Sequence, residues 1–160
     1  MDTRLKALIG AAALLVITVV VVLVAQGGGD DSSSASLEDL SKKPVIEVPD
    51  EAPPKKLVSK DIVVGDGQTA KPGDNLTVQY VGVDYETGVE FDSSWDRQPL
   101  PFQLGSGNVI PGWDQGLVGM KVGGRRELTI PPDLAYGAAG KPPIGPNATL
   151  IFVIDLLSIG

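Results

Sequence analysis

The amino-acid sequence predicts an α+β domain in which one antiparallel sheet packs against a single short helix. Two stretches, "NLTVQYVGV" and "RELTIP", alternate apolar and polar residues as half-buried strands do, and a third, "TLIFVIDLL", is apolar on both parities. Turn sequences containing glycine or proline separate these stretches. Beyond residue 25, only one stretch spaces its apolar residues convincingly as a helix does. Strands in series with one helix favour an antiparallel sheet that carries the helix on its concave face.

The three strand-like stretches distribute their apolar residues differently. In the first, Leu76, Val78 and Tyr80 fall on one side, with polar residues between them. In the second, Leu128 and Ile130 do the same. The third stretch has no polar side, which is typical of a central strand that is covered on both faces.

The helix is predicted within "VIPGWDQGLVGM", where apolar residues recur every three or four positions, at Ile110, Trp113, Leu117 and Met120. Pro111 suits the first helical position, because its missing N–H would have no partner there. The three glycines of this stretch are poor helix formers. We infer that they let the short helix approach the sheet closely, so that its apolar face becomes the inside of a cup.

Residues 1–25 are predicted to lie in a membrane rather than in the domain. Arg4 and Lys6 precede an uninterrupted apolar run over residues 7–25. As a helix this run would extend about 28 Å, close to the thickness of a bilayer's hydrocarbon core. Basic residues before the run and acidic residues after it indicate a cytoplasmic N-terminus. We therefore expect a single-pass signal anchor in the cell membrane, with the rest of the chain extracytoplasmic.

A cleaved secretory signal peptide is the alternative, because Ala25, Gln26 and Gly27 form a small-x-small sequence that could be cut. The protein would then be secreted. Residues 26–54 are rich in glycine, serine, proline and acidic residues, and their large apolar residues follow no period. We expect a flexible linker there, because such a composition buries too little surface to offset its chain entropy. The folded domain is predicted over residues 55–160.

The composition excludes several classes of function. The chain has 160 residues, no histidine and no cysteine. It therefore lacks the usual general base, a thiol nucleophile, disulfides and the side chains that hold most transition metals, and no metal site is predicted. The net charge is −7, and no basic cluster exceeds two residues. Nucleic acid is not an expected partner, because a phosphate backbone requires a concentrated positive surface.

Five aromatic side chains from different segments are candidates for a binding pocket: Tyr80, Phe91, Trp113, Tyr136 and Phe152. On composition alone, five rings in a domain of this size are expected to be core residues. Three local features favour a site instead. Asp92 stands where a strand runs into a charged loop, Tyr136 lies in an irregular loop rich in glycine and proline, and Ile110 is held extended by the proline after it.

From about residue 57 to residue 160 the chain resembles the FKBP-type peptidyl-prolyl cis-trans isomerases. The matching blocks are "VQYVG", "FDSSWDR", "VIPGWDQGLVGMKVGGRRELTIP", "LAYG" and "NATLIFVIDLL", in order and at the family's spacing. The resemblance implies an antiparallel half-barrel of five or six strands wrapped around one short helix. It also implies an isomerase of Xaa-Pro bonds in polypeptides that needs no cofactor, and macrolide inhibitors as possible ligands.

The same resemblance implies which residues form the site. Catalytic roles fall on Asp92, Tyr136, Ile110 and Trp113, and substrate-binding roles on Tyr80, Phe91, Arg97, Leu100, Val109, Ile144 and Phe152. The amide N–H of Ile110 and the hydroxyl of Tyr136 would hold carbonyl groups, and Tyr80 and Arg97 would steady Asp92. Leu100 stands where the family commonly has phenylalanine, which puts the preference for the residue before proline in doubt.

The chemistry of the substrate explains why no nucleophile or general base is required. Rotation about a peptide bond costs about 18–20 kcal/mol because the C–N bond has partial double-bond character. The planar amide is charge-separated and the twisted amide is less polar, so an apolar pocket disfavours the planar form. We predict a monomeric isomerase that acts on exported or surface proteins during folding. Two alternatives remain: a non-catalytic module that binds proline-containing peptides, and a structural domain whose rings are all core.

Overall fold

The computed structural model describes residues 37–160, and within them the predicted antiparallel sheet and short helix are confirmed. The sheet has six strands in the order β1-β5-β6-β2-β3, with β4 paired to β2 outside this path. The elements, in chain order, are β1 (Val58–Val63), β2 (Asn75–Asp84), β3 (Glu90–Ser93), β4 (Leu100–Gln103), α1 (Pro111–Gly116), β5 (Arg125–Ile130), a 3-10 turn (Pro132–Leu134) and β6 (Leu150–Ile159).

Alternation along the long strands gives the sheet two apolar faces. Leu76, Val78 and Tyr80 of β2 lie in the main core together with Leu128 and Ile130 of β5, as their spacing predicts. The neighbouring residues of β2 and β6 point to the opposite face and form a second cluster, which we call the outer cluster: Val81, Val83, Tyr85 and Ile151. Strand β6 pairs with both β2 and β5 and is buried from Leu150 to Leu156, so it is the predicted central strand covered on both faces.

The helix α1 lies close to β5. It is shorter than the stretch from which it was predicted, ending at Gly116. A Cβ atom built on Gly112 would lie 2.4 Å from Cγ2 of Ile130, and one built on Gly116 would lie 2.7 Å from Cδ2 of Leu128. Both distances are far below van der Waals contact, so only glycine allows this approach. The inference drawn from the glycines therefore agrees with the packing.

Residues 37–54 pack against the outer cluster, and we call them the N-terminal strap. Ile46 and Val48 contact the outer cluster, and Pro44 is buried. The structure thus differs from the flexible linker predicted for these residues, whereas residues 26–36 lie outside the described residues. The physical reason is that an extended chain on an apolar face needs only a few separated apolar side chains, which produce no recognisable period in the sequence.

Within residues 37–160, no helix is long and apolar enough to cross a membrane. The predicted membrane segment, residues 7–25, lies outside the described residues.

The close approach of α1 can be tested at Gly112. We expect Gly112→Ala to destabilise the fold by about 1–3 kcal/mol, although alanine is the better helix former, because the added methyl group would overlap Ile130. Urea unfolding followed by circular dichroism measures the difference. The control is Gln115→Ala at an exposed position of the same helix, which should change stability by less than about 0.5 kcal/mol. An undiminished stability of Gly112→Ala would contradict the packing described.

Candidate active site

A cleft opens on the concave face of the sheet above α1. Its volume is about 160 Å³. This is smaller than the clefts of about 300–1,000 Å³ that enclose drug-sized ligands, so it accepts a group about the size of one side chain. The lining residues come from β2, β3, β4, β6, α1 and the two loops beside α1 and after β5: Tyr80, Phe91, Asp92, Leu100, Asn108, Val109, Ile110, Trp113, Tyr136 and Phe152.

Trp113 stands at the centre of the rings that line the cleft. Its ring centroid lies 5.1 Å from that of Tyr80 and 5.2 Å from that of Phe152, and both contacts are edge-to-face. Phe91 meets Phe152 in the same way at 5.5 Å. Edge-to-face contacts fix the orientation of each ring, because the positive edge of one meets the negative face of the next. The apolar wall is therefore built of rings that hold one another in place.

Gly82 makes room for this wall, although the sequence alone did not single it out. A Cβ atom at this position would lie 2.7 Å from both Phe91 and Phe152. Gly82 follows Tyr80 by two residues on β2, so it faces the same side of the sheet. Any larger residue would displace the two rings. A glycine at an inward position of an otherwise apolar strand was the signal that could have identified it.

A charged group stands at one edge of the cleft. Oδ2 of Asp92 accepts a hydrogen bond of 2.5 Å from the hydroxyl of Tyr80, and Oδ1 accepts one of 2.6 Å from Nη2 of Arg97. The backbone N–H of Ser93 donates to Oδ1 at 2.9 Å. The two contacts implied for Asp92 by the family resemblance are thus present. Both oxygens of this carboxylate accept hydrogen bonds, so it is held in one orientation.

The two tyrosines of the cleft are both held in the neutral form. Burial, together with the hydrogen bond to Asp92, raises the pKa of Tyr80 to about 12. Burial likewise raises the pKa of Tyr136, with a further contribution from the charge of Asp92. Both hydroxyl groups therefore remain hydrogen-bond donors at neutral pH.

Two donors at the rim are free to bind a ligand. Within residues 37–160, neither the backbone N–H of Ile110 nor the hydroxyl of Tyr136 donates to another protein group. Ile110 caps α1 with an extended backbone, φ −59° and ψ 148°, as the following proline predicts. The ammonium group of Lys141 lies 5.7 Å from the centre of the Tyr136 ring and restricts that side chain through a cation–π contact.

The structure brings together most of the residues proposed from the sequence. All of them line the cleft except Arg97 and Ile144. Arg97 acts on the cleft through Asp92, and Ile144 packs beside the main core without lining the cleft. Asn108 lines the cleft but was not proposed, since no side-chain property distinguishes it; its position directly before Val109 was the only available signal.

Comparison with known proteins identifies the family to which the chain is similar. Residues 66–157 match the family model for FKBP-type peptidyl-prolyl cis-trans isomerases. An FK506-binding protein of Streptomyces anulatus is 56% identical over 121 residues, which cover 74% of this chain and 98% of the relative. A probable FK506-binding protein of Corynebacterium glutamicum is 54% identical over 118 residues, covering 73% and 98%. The crystal structure of AtFKBP13 has a TM-score of 0.61 and 41% sequence identity, covering 65% of this chain and 93% of that one.

The chain belongs to the FKBP-type peptidyl-prolyl cis-trans isomerase family. It is accordingly an enzyme that interconverts the cis and trans forms of Xaa-Pro bonds. The resemblance stated from the sequence is confirmed. The match to the Streptomyces relative is longer than the range 55–160. It therefore extends into the N-terminal strap.

The pKa of Tyr80 provides a test of the Asp92 contact. We expect Asp92→Asn to lower this pKa from about 12, but not to the ordinary tyrosine value, because burial remains. Ultraviolet absorbance of the tyrosinate follows the titration. Asp96→Asn, an exposed acid on the same loop, is the control and should leave the pKa unchanged.

The same shift has a consequence for stability. The folded protein binds the Tyr80 proton more tightly than the unfolded chain does. The contribution of this proton to the free energy of unfolding is therefore complete below about pH 10, where Tyr80 is neutral in both the folded and the unfolded protein. It is lost as the pH rises to about 12. In Asp92→Asn this loss should be smaller and should begin at the same pH.

Proposed function

We propose that this isomerase lowers the barrier to Xaa-Pro rotation by transferring the peptide bond from water into the aromatic cleft. The observation that supports the proposal is the cleft itself: interlocked aromatic rings form its wall above Trp113, and the free donors of Ile110 and Tyr136 stand at its rim. The volume of the cleft suits a prolyl ring resting on the indole.

The apolar wall acts on the difference between the planar and the twisted amide. In the planar form, resonance places negative charge on the oxygen and positive charge on the nitrogen, and water solvates both. Rotation removes this charge separation, so the twisted form loses less on leaving water. Each 1.4 kcal/mol of difference is about a tenfold gain in rate. No covalent bond is broken, and no proton is transferred.

The donors at the rim orient the peptide without opposing the rotation. A hydrogen bond to the oxygen of the rotating amide would stabilise its planar form. The N–H of Ile110 and the hydroxyl of Tyr136 are therefore proposed to hold the carbonyl groups that flank that amide. Asp92 is proposed to keep the rim in place through its contacts with Tyr80 and Arg97, rather than to exchange a proton.

The substrates are proposed to be proline-containing segments of exported or surface proteins during folding, reached by a domain tethered through residues 7–25. Relatives named FK506-binding proteins support the further proposal that a macrolide binds the cleft. Because the cleft is small, such a ligand would insert one ring and leave most of its surface outside. Leu100 in place of a larger ring leaves space at the wall for the side chain that precedes proline.

Two substitutions at Trp113 test the desolvation mechanism. Leucine and glutamine are similar in size, but only glutamine places an amide at the base of the cleft. We expect Trp113→Gln to lower kcat/KM about tenfold more than Trp113→Leu, because a polar side chain at the bottom of the cleft would solvate the planar amide. A protease-coupled peptide assay measures both variants after circular dichroism has shown that each is folded. Equal losses would contradict the mechanism.

A solvent isotope comparison tests the same mechanism independently. With no proton in flight, the ratio of kcat/KM in H₂O to that in D₂O should be close to about 1. A ratio of about 2 or more would indicate proton transfer and would overturn the proposed role of Asp92.

The proposed location is tested by fractionating cells that express the full chain. We expect the protein in the membrane fraction, accessible to protease from outside, and released when residues 7–25 are deleted, because that run is the only long apolar segment of the sequence. Sequencing the N-terminus of the mature protein distinguishes the anchor from a cleaved signal. Recovery of the untruncated chain in the cytoplasm would contradict the proposal.

A further inference from the structure

The N-terminal strap is fastened to the sheet by one buried arginine. Both Nε and Nη2 of Arg125 donate to the carboxylate of Asp155, at 2.6 and 2.7 Å. The remaining donors point to backbone oxygens of the strap: Nη1 reaches Leu37 at 2.6 Å and Asp39 at 3.3 Å, and Nη2 reaches Lys42 at 3.1 Å. Arg125 has no exposed surface. Without the strap, these N–H groups would exchange their carbonyl partners for water.

The strap shares the outer cluster with a residue of the loop beside the charged group of the cleft. Trp95 packs on the outer cluster together with Ile46 and Val48. The guanidinium carbon of Arg125 lies 6.0 Å from the centre of the Trp95 ring. Nε1 of the indole is buried, and the arginine that binds the strap lies beside the ring.

Trp95 lies between the two partners of the cleft's ion pair, Asp92 and Arg97. The loop is tied to β2 by Ser94, whose backbone N–H donates to the oxygen of Tyr80 at 3.0 Å and whose Oγ accepts from the N–H of Tyr80 at 2.8 Å. Nη2 of Arg97 donates to the oxygen of Ser93 at 2.7 Å. The short loop thus holds the Tyr80–Asp92–Arg97 group at the cleft and is anchored by Trp95 on the outer cluster.

Strand β3, which carries Phe91 and Asp92, needs such support. It is a four-residue edge strand that, among residues 37–160, pairs with β2 alone, and the pairing has an irregularity between Gly82 and Val83. Its first residue, Glu90, forms an ion pair of 2.9 Å with Lys43 of the strap. A short edge strand opens more easily than the centre of a sheet because it has fewer contacts to lose.

We propose that the N-terminal strap is a positioning element of the active site: by sharing the outer cluster with Trp95 and binding Glu90, it holds β3 and the following loop so that Asp92 meets Tyr80 and Arg97. The domain that catalyses isomerisation is then residues 37–160, and Trp95 is a positioning residue that does not touch the substrate. The inference rests on the proposed function in one respect, the contribution of Asp92 to the rim of the cleft.

Neighbouring strap residues supply a matched pair of variants for the full chain. Ile46 packs on the outer cluster, whereas the side chain of Val45 is 68% exposed. We expect Ile46→Ser to lower kcat/KM about threefold to tenfold and Val45→Ser to leave it unchanged, because only the first loosens the strap. Ile46→Val, which removes one methylene group, should give a smaller loss in a protein that certainly folds. Equal activity of all three variants and the parent would overturn the proposal.

A double-mutant cycle separates positioning from loss of stability. If the strap acts through Asp92, then Ile46→Ser should cause no further loss of kcat/KM in an Asp92→Asn background. Independent, multiplying losses would overturn the proposal. Should Asp92→Asn alone leave kcat/KM unchanged, the proposed role of Asp92 would fail, and with it the activity test of the strap.

If Asp92→Asn leaves kcat/KM unchanged, the titration of Tyr80 still tests whether the strap positions Asp92, because it reports the Tyr80–Asp92 contact without reference to activity. Ile46→Ser should lower the pKa of Tyr80 from about 12, as Asp92→Asn does, and Val45→Ser should not. An unchanged titration in folded Ile46→Ser would show that the strap does not position Asp92.

Discussion

The close contact between α1 and β5 is the constraint on which the site depends. Gly112 and Gly116 let the helix lie directly on Ile130 and Leu128, at a distance that excludes even a methyl group. That distance sets the depth at which Trp113 stands and brings its ring against Tyr80 and Phe152. Were the helix further away, the rings could not meet edge to face and the cleft would lose its base. Two residues that are unfavourable for a helix are thus favourable for the site, because packing outweighs propensity in a helix of six residues.

The site needs little chemistry because its reaction makes and breaks no covalent bond. Its polar groups serve geometry instead. Asp92 is engaged by two partners, and the tyrosine hydroxyls stay protonated because burial and the nearby carboxylate oppose their ionisation. This explains how a chain with neither histidine nor cysteine can be an enzyme. The fold supplies a cleft walled by aromatic rings that hold one another in place.

The two faces of the sheet have related roles. The concave face carries the cleft, and the outer face carries the N-terminal strap, so strands β2 and β6 are packed on both sides. Arg125 connects the strap to the sheet. Its carboxylate partner, Asp155, lies on β6, and its other N–H groups donate to backbone oxygens of the strap. The strap contacts the outer side of the strands and loop whose inner side forms the rim. Support from behind is a physical requirement here, because β3 is short and lies at the sheet edge.

The sequence by itself predicted β2, β5, β6, the short helix and the family, because each leaves a local pattern: alternation in β2 and β5, apolar residues on both sides of β6, apolar residues every three or four positions in the helix, and the family's motifs along the chain. The residues of the cleft could be proposed before the structure was known because they stand at positions that match the family's motifs. The sequence did not reveal what covers the outer side of β6, nor that Gly82 makes room for the rings. Only the tertiary structure showed that the strap packs on the sheet, because this packing depends on residues far apart in sequence. Arg125 binds backbone oxygens more than eighty residues away. Every residue has the same backbone carbonyl group, so no sequence pattern can show which of these groups accepts a hydrogen bond from a buried arginine.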